Sequence, residues 1–338
     1  MTGQGKVFSQ KFMDNLLEIT NLEVVFDTDG QSLAAVDGVS FSIGTNEVVG
    51  LVGESGCGKS VTAMSILRLV PEPPGRILKG KALFKGRDLL RLDHEALRAI
   101  RGAQISMIFQ DPMTALSPII KIGRQLSETL LIHGISDKKQ AWAQSVSWLK
   151  KVGIPEPERI ASAYPFELSG GMQQRVMIAM ALMLDPQLVI ADEPTTALDV
   201  TVAAQIFDLL RAMRGRSTSV LLITHDLGVI WEMCDRVMVM YAGKIVEQAP
   251  KDELFKAPAH PYTIGLLQSM PRLADREGKL HSIKGQVPSP LNYPPGCRFH
   301  DRCPHAFERC TIEQPPLKSV GQNRKAACLI AERFLGNG

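Results

Sequence analysis

The chain has 338 residues, 45% hydrophobic and 22% charged, with 38 basic against 35 acidic side chains and a formal net charge of +3. That length exceeds one small core and predicts two domains, or one α/β domain with additions, in a composition ordinary for a soluble globular protein. The balanced charge gives no argument for a nucleic-acid partner, and no run reaches the roughly 18 consecutive apolar residues of a membrane-spanning helix.

The first residues, Met1 to Asn15, are polar and lack the apolar middle of a signal peptide, so a cytoplasmic protein is expected. Residues 17–26 and 34–43 are rich in Val, Ile and Phe around an Asp/Gly-rich turn. They predict antiparallel strands in a β subdomain. Residues 47–52 read as a buried parallel strand and 60–69 as a helix. Between them stands Gly53-Glu54-Ser55-Gly56-Cys57-Gly58-Lys59-Ser60, which fits the phosphate-binding loop G-x-x-x-x-G-K-[ST] at every fixed position. The glycines let successive N–H groups curl into an anion-binding nest, and the following helix adds its positive end. Lys59 supplies a point charge for the β- and γ-phosphates, and Ser60 a hydroxyl for Mg2+.

Further along, 81–84 predicts a strand, 93–101 a short helix capped by Asp93, and 105–109 an apolar strand ending at Gln110. Residues 122–133, 138–152 and 169–184 carry helical spacing. Strands return at 188–191, 220–224 and 237–241, with helices at 200–214 and 227–234 between them. Such alternation implies a parallel sheet covered on both faces, interrupted by a helical insert. The strand Leu188-Val189-Ile190-Ala191 ends in Asp192-Glu193. Beside a phosphate loop these carboxylates take separate jobs: Asp192 holds Mg2+, directly or through water, and Glu193 polarises the attacking water as general base. A surface Asp-Glu pair at a turn is the plain alternative.

Leu168-Ser169-Gly170-Gly171-Met172-Gln173-Gln174 resembles the signature sequence of ATP-binding cassette ATPases, and the family's other marks follow in order. Gln110 matches the glutamine at the boundary of core and helical insert, Ala197-Leu198-Asp199 the segment after the catalytic glutamate, and His225 the switch histidine. The resemblance covers residues 17–249. It implies an α/β P-loop ATPase core with an N-terminal antiparallel β subdomain, a helical signature subdomain and a Cys/Pro-rich C-terminal extension. Ser169, Gly170 and Gly171 open a helix with free N–H groups and a hydroxyl, a second phosphate receptor. By the resemblance, two subunits pair head to tail, and each ATP lies between the phosphate loop of one and the signature of the other. Asp199 then joins the nucleotide site, Gln110 joins Ser60 and Asp192 at Mg2+, and His225 contacts the γ-phosphate and helps Glu193 hold the water. Phe26 stands near the family's aromatic position and could stack on adenine, a core phenylalanine being the alternative. Met172, Met177, Met180 and Met183 read as soft packing.

Two later stretches narrow the branch. Ala259-His260-Pro261-Tyr262-Thr263 and Pro295-Gly296-Cys297-Arg298-Phe299-His300-Asp301-Arg302-Cys303-Pro304 resemble the C-terminal extension of ATPase subunits in oligopeptide and dipeptide importers, a branch that includes nickel and glutathione uptake. Met107-Ile108-Phe109-Gln110-Asp111-Pro112-Met113 is typical of it too. The expected division is an ATPase domain over 16–250, its helical subdomain over about 112–185, and an extension over 251–338 in which regular structure is sparse. Four of the six cysteines lie in the last 42 residues, which in a reducing compartment favours metal over disulfides. The gaps of five, six and seventeen residues between Cys297, Cys303, Cys310 and Cys328 do not suit a zinc knuckle. Four thiolates on a loop-rich segment can also carry a 4Fe-4S cluster. The resemblance favours that cluster, with zinc as runner-up. Cys57 and Cys234 fall in the core pattern and are expected to be inert, though alkylation of Cys57 would touch the phosphate loop.

The resemblance also implies partners: a second ATPase subunit, two permease subunits, an extracytoplasmic binding protein, and a peripheral seat on the cytoplasmic face of the inner membrane. A short permease helix is expected beside Gln110, against residues 115–123 and 132–164. The alternatives are a soluble cassette ATPase acting on ribosomes or nucleic acid, and a redox sensor.

Overall fold

The computed structural model describes residues 15–28, 30–196, 198–215, 217–270 and 283–335. Twelve strands are present among them: β1 Asn15–Thr28, β2 Gln31–Gly44, β3 Val48–Val52, β4 Gly75–Phe84, β5 Arg87–Asp88, β6 Ile105–Ile108, β7 Leu188–Asp192, β8 Ser219–Ile223, β9 Arg236–Tyr241, β10 Lys244–Pro250, β11 Lys318–Gly321 and β12 Arg324–Ala326. The strands β2-β1-β4-β5 form an antiparallel sheet, and β11-β12-β10-β9-β3-β8-β7-β6 form a larger one. Within the larger sheet, β9, β3, β8, β7 and β6 run parallel, while β10, β12 and β11 are added antiparallel at one edge.

The parallel strands read as unbroken apolar runs because both of their faces are covered. Val48 and Val52 of β3 pack into a core shared with the helical insert, while Val49 and Leu51 pack into a core shared with β1, β2 and β4. β7 and β8 alternate in the same way: Val189 with Val220 on one side, Ile190 with Leu221 on the other. The period-2 pleat thus lets one sheet serve two cores. On the far side, the insert comprises helices Ile122–Ile132, Lys138–Lys151, Pro157–Ala161 and Gly170–Leu182. Asp137 caps the second by accepting a bond from Gln140 N at 2.8 Å, and Asp93 caps His94–Ile100 from Ala96 N at 2.7 Å. Met177 and Met183 are buried and Met172 and Met180 pack against the same core, in the packing role expected of them.

Two features differ from the sequence expectation. β10 pairs with β9 through a tight turn in which Ala242 (φ 45°) and Gly243 (φ 82°) are both left-handed. Alanine is a weak signal for such a turn, so neither the hairpin nor the helix Lys251–Lys256 after it stands out in the sequence. The extension also carries more regular structure than its prolines suggest. Its hairpin β11–β12 docks on β10, with Ala326 opposite Glu247, so the sheet runs on past position 250. Glu247 anchors this junction: its carboxylate, 1% exposed, accepts from Ala259 N at 2.6 Å and His260 N at 2.9 Å. His260 Nδ1 accepts from Tyr262 N at 3.0 Å and so caps helix Pro261–Gln268. Burial pushes the His260 imidazole down to about 3. Among the described residues, no helix is long and apolar enough to cross a membrane.

Candidate active site

Every expected catalytic group lies at the carboxyl end of a parallel strand, where open α/β sheets form their ligand crevice. The phosphate loop follows β3, Gln110 lies just beyond β6, Asp192 ends β7 and Glu193 follows it, and His225 lies just past β8. These groups come from segments far apart in the chain, and the strand order brings them together.

The loop 53–58 is glycine-rich for steric reasons. Gly58 has φ +106°, and a Cβ there would stand 2.5 Å from Ala35 O; at Gly53 it would stand 2.2 Å from Met240 O. Helix Lys59–Ile66 begins on Gly58 with no side-chain cap and no acidic residue in its first turn. Its leading N–H groups are thereby left for an anion. Lys59, 6% exposed, donates from Nζ to Gly53 O (2.8 Å) and Glu54 O (3.0 Å). Two of three ammonium donors are thus fixed, and the third meets only the Cys57 sulfur at 3.8 Å, an acceptor a phosphate easily outcompetes. Ser55 and Gly56 are exposed at the loop's mouth. Cys57 is fully buried, and burial raises its thiol despite the nearby Lys59 ammonium, which makes alkylation slow.

Asp192 is 3% exposed, and its Oδ1 has no hydrogen-bond partner. Burial pushes its carboxyl upward, the Ser60 hydroxyl pulls it down, and Glu193 raises it again. A buried carboxylate oxygen with no protein partner beside a loop hydroxyl fits the oxygen-ligand chemistry of Mg2+. Glu193 occupies a left-handed backbone conformation (φ 47°), uncommon for a residue with a long side chain. Three groups hold its carboxylate: Gln110 Nε2 at 3.2 Å, Thr196 Oγ1 at 3.2 Å and His225 Nδ1 at 3.3 Å. The His225 side chain is 70% exposed, free to meet a ligand in the crevice. Thr196 was not among the residues expected here; its signal is the hydroxyl three positions after Glu193, which also bonds Glu193 O at 3.1 Å.

The signature stretch behaves as a helix start. Ser169 caps Gly170–Leu182 by accepting from Met172 N at 3.3 Å, and Ser169 and Gly170 face solvent with open space around Gly170. The same helix is tied to the backbone just after Glu193 through Gln174, fully buried, whose Nε2 donates to Pro194 O at 2.8 Å. Asp199 caps Val200–Arg214 through Val202 N at 3.0 Å. Ala197, in the same segment, lies outside the described residues. The Phe26 ring packs half-buried on the β-subdomain core near Gly75.

Beside Gln110, an open groove of about 380 Å3 is lined by Phe109, Ala115, Ile132, His133 and Met180. Cys297, Cys303, Cys310 and Cys328 are free thiols lining one small cavity walled by Pro261, Phe299 and Leu329. Burial pushes the Cys297 thiol up to about 11, with Cys310 and Cys328 adding to the shift. Among the described residues, no three such side chains converge on a single-ion site.

Comparison with known proteins agrees with this geometry. Residues 36–196 match the ABC transporter family, and 246–310 match the oligopeptide/dipeptide transporter C-terminal region. The chain is 49% identical over 321 residues to the oligopeptide transport ATP-binding protein AppD of Bacillus subtilis, covering 95% of this chain and 98% of that one. It is 50% identical over 322 residues to the dipeptide transport ATP-binding protein DppD of the same organism, covering 95% and 96%. Among solved structures, the dimeric post-hydrolysis state of the ATP-binding cassette MJ0796 bound to ADP and Pi superposes with a TM-score of 0.64 at 26% identity, over 70% of this chain and 98% of that one.

Proposed function

The chain belongs to the ATP-binding subunits of ABC transporters, in the branch with the oligopeptide/dipeptide C-terminal region, and from that premise we propose that its ATPase drives import of peptides or a related small solute. The observation that carries the reading is the Glu193 carboxylate, held by Gln110, Thr196 and His225 next to the orphaned Asp192 oxygen.

In this reading the phosphate loop Gly53 to Ser60 and the Lys59 ammonium bind the phosphates. Ser60, Asp192 and Gln110 would hold Mg2+, which when bound would draw charge off the β- and γ-phosphates. Glu193 takes the proton from the attacking water, and His225 orients the γ-phosphate. The adenine stacks on Phe26. Ser169 to Gly171 face outward and complete a partner's site, as Asp199 does, so turnover requires two subunits; the dimeric cassette structure supports that arrangement. The groove beside Gln110 then takes a permease helix, which seats the subunit on the cytoplasmic face of the membrane beneath two permeases fed by an extracytoplasmic binding protein.

Dilution tests the reading. The ATPase rate per subunit should fall as the purified chain is diluted below its dimerisation range, or recover only with a second related ATPase subunit. A strict monomer running at full rate refutes it. Membrane permeases should co-purify; ribosomes or nucleic acid in their place would favour the soluble alternative.

The cysteine cavity supports a thiolate-bound group. Cys297, Cys303, Cys310 and Cys328 line one small cavity on a loop-rich segment, and four such thiolates can carry a 4Fe-4S cluster. Cys297, Cys303, Cys310 and Cys328 would hold the cluster, in a mainly structural role. Iron and sulfide should be recovered from anaerobically purified protein; an iron-free, zinc-loaded product rejects the assignment.

A further inference from the structure

The second residue of the phosphate loop, Glu54, is gripped from outside the ATPase core. Its carboxylate is paired in a two-pronged fork with Arg302, at 2.6 and 3.0 Å. The Arg302 side chain is only 7% exposed, and its Nε donates to Lys284 O at 2.8 Å, so the guanidinium is locked in orientation. From the other side, the fully buried Tyr262 accepts a hydrogen bond from Glu54 N at 2.8 Å. The Tyr262 ring packs on Tyr241 (4.6 Å) and Phe299 (5.3 Å), which stiffens the contact. Arg302 immediately precedes Cys303, so this grip and the cysteine cavity share one loop.

A carboxylate inside a loop built for a triphosphate is an electrostatic liability, because like charges repel strongly where water is sparse. The fork turns Glu54 toward the extension and neutralises it. We propose that Arg302 and Tyr262 are positioning residues for the ATP site, and that through them the C-terminal extension sets the affinity of the phosphate loop. The inference rests on the reading of Gly53–Ser60 as the ATP site and goes beyond it.

The test compares MgATP dissociation constants, and KM against kcat, for the full-length chain and its variants. Arg302→Ala should weaken binding about tenfold with kcat at saturating ATP nearly unchanged, the effect of unmasking one partly exposed charge. Arg302→Ala combined with Glu54→Gln should recover most of that loss, because no unpaired carboxylate then faces the phosphates. Tyr262→Phe should weaken binding by about threefold. Arg302→Lys keeps the charge but not the fork and should lie between wild type and Arg302→Ala; an unshifted constant here overturns the proposal even where Arg302→Ala does not fold. So does an Arg302→Ala constant equal to wild type, a double variant as weak as the single, or a loss confined to kcat and melting temperature as from simple damage to the fold. A wild-type chain that does not bind MgATP refutes the nucleotide reading itself, whereas wild-type binding with no response at Arg302 refutes only the brace.

Discussion

Replacing Glu193 by Gln removes the general base while leaving its surroundings nearly intact. Glutamine has the same length, and it meets the left-handed backbone at φ 47° with the same steric cost. Placed where Oε2 stands, its carbonyl oxygen still accepts from both Gln110 Nε2 and Thr196 Oγ1, and its amide group then faces only His225 Nδ1, which accepts when the imidazole carries its proton on Nε2. The fold should therefore be unaffected and the chemistry lost. A positioned general base contributes roughly 100- to 10,000-fold, which corresponds to about 2.7 to 5.4 kcal/mol of transition-state stabilisation. Phosphate release under single-turnover conditions measures the step, and equilibrium binding of MgATP measures the site. The expected result is turnover at least 100-fold slower, roughly the lower bound for such a base, with binding unchanged or tighter. Hydrolysis within about threefold of wild type, well short of that lower bound, would remove Glu193 from the role. Weakened binding would instead mean that the substitution disturbed the loop.

Thr196→Val deletes one of the three groups holding Glu193, and should lower kcat about fivefold with KM for ATP unchanged, the effect of one lost hydrogen bond of about 1 kcal/mol. An unchanged kcat shows that Gln110 and His225 suffice. Lys59→Ala removes the ammonium that spans Gly53 O and Glu54 O, and should weaken MgATP binding about 100-fold, about 2.7 kcal/mol; titration calorimetry reads this directly. His260 gives the protein a pH dependence of stability. Its folded pKa of about 3 lies below the unfolded value near 6.5, so the unfolded chain takes up the proton first. Stability from this residue is complete above about pH 6.5 and declines as pH falls toward 3, by at most about 1.4 kcal/mol per pH unit. Glu247, raised by burial, works in the opposite sense in both proteins, so urea unfolding of wild type against His260→Asn isolates the histidine as a flatter acid limb in the variant.

Features set by near neighbours in the chain were legible from the sequence alone. The phosphate loop is one: its glycine positions, its lysine and the helix after it are all within eight consecutive residues or next to them, and backbone sterics decide their geometry. Asp93 and Ser169 each bond an N–H three residues on, so these two helix starts were legible from residue type and spacing, whereas the like caps at Asp137 and Asp199 were not singled out. The unbroken apolar runs of β3, β7, β8 and β9 likewise announced a covered parallel sheet, because a strand buried on both faces is apolar at nearly every position.

Contacts that depend on strand order were not legible, since nothing local encodes which distant segment lies alongside. Gln110 and His225 were expected in the site, yet only the adjacency of β6, β7 and β8 brings them onto Glu193 across 83 and 32 residues. The extension was read as a loop-rich appendage, and pairing with β10 made it part of the main sheet. Arg302 and Glu54 lie 248 residues apart in sequence and carry no mutual signal in the chain. Their meeting follows from the packing of Tyr241, Tyr262 and Phe299, which burial of aromatic surface in the assembled fold decides.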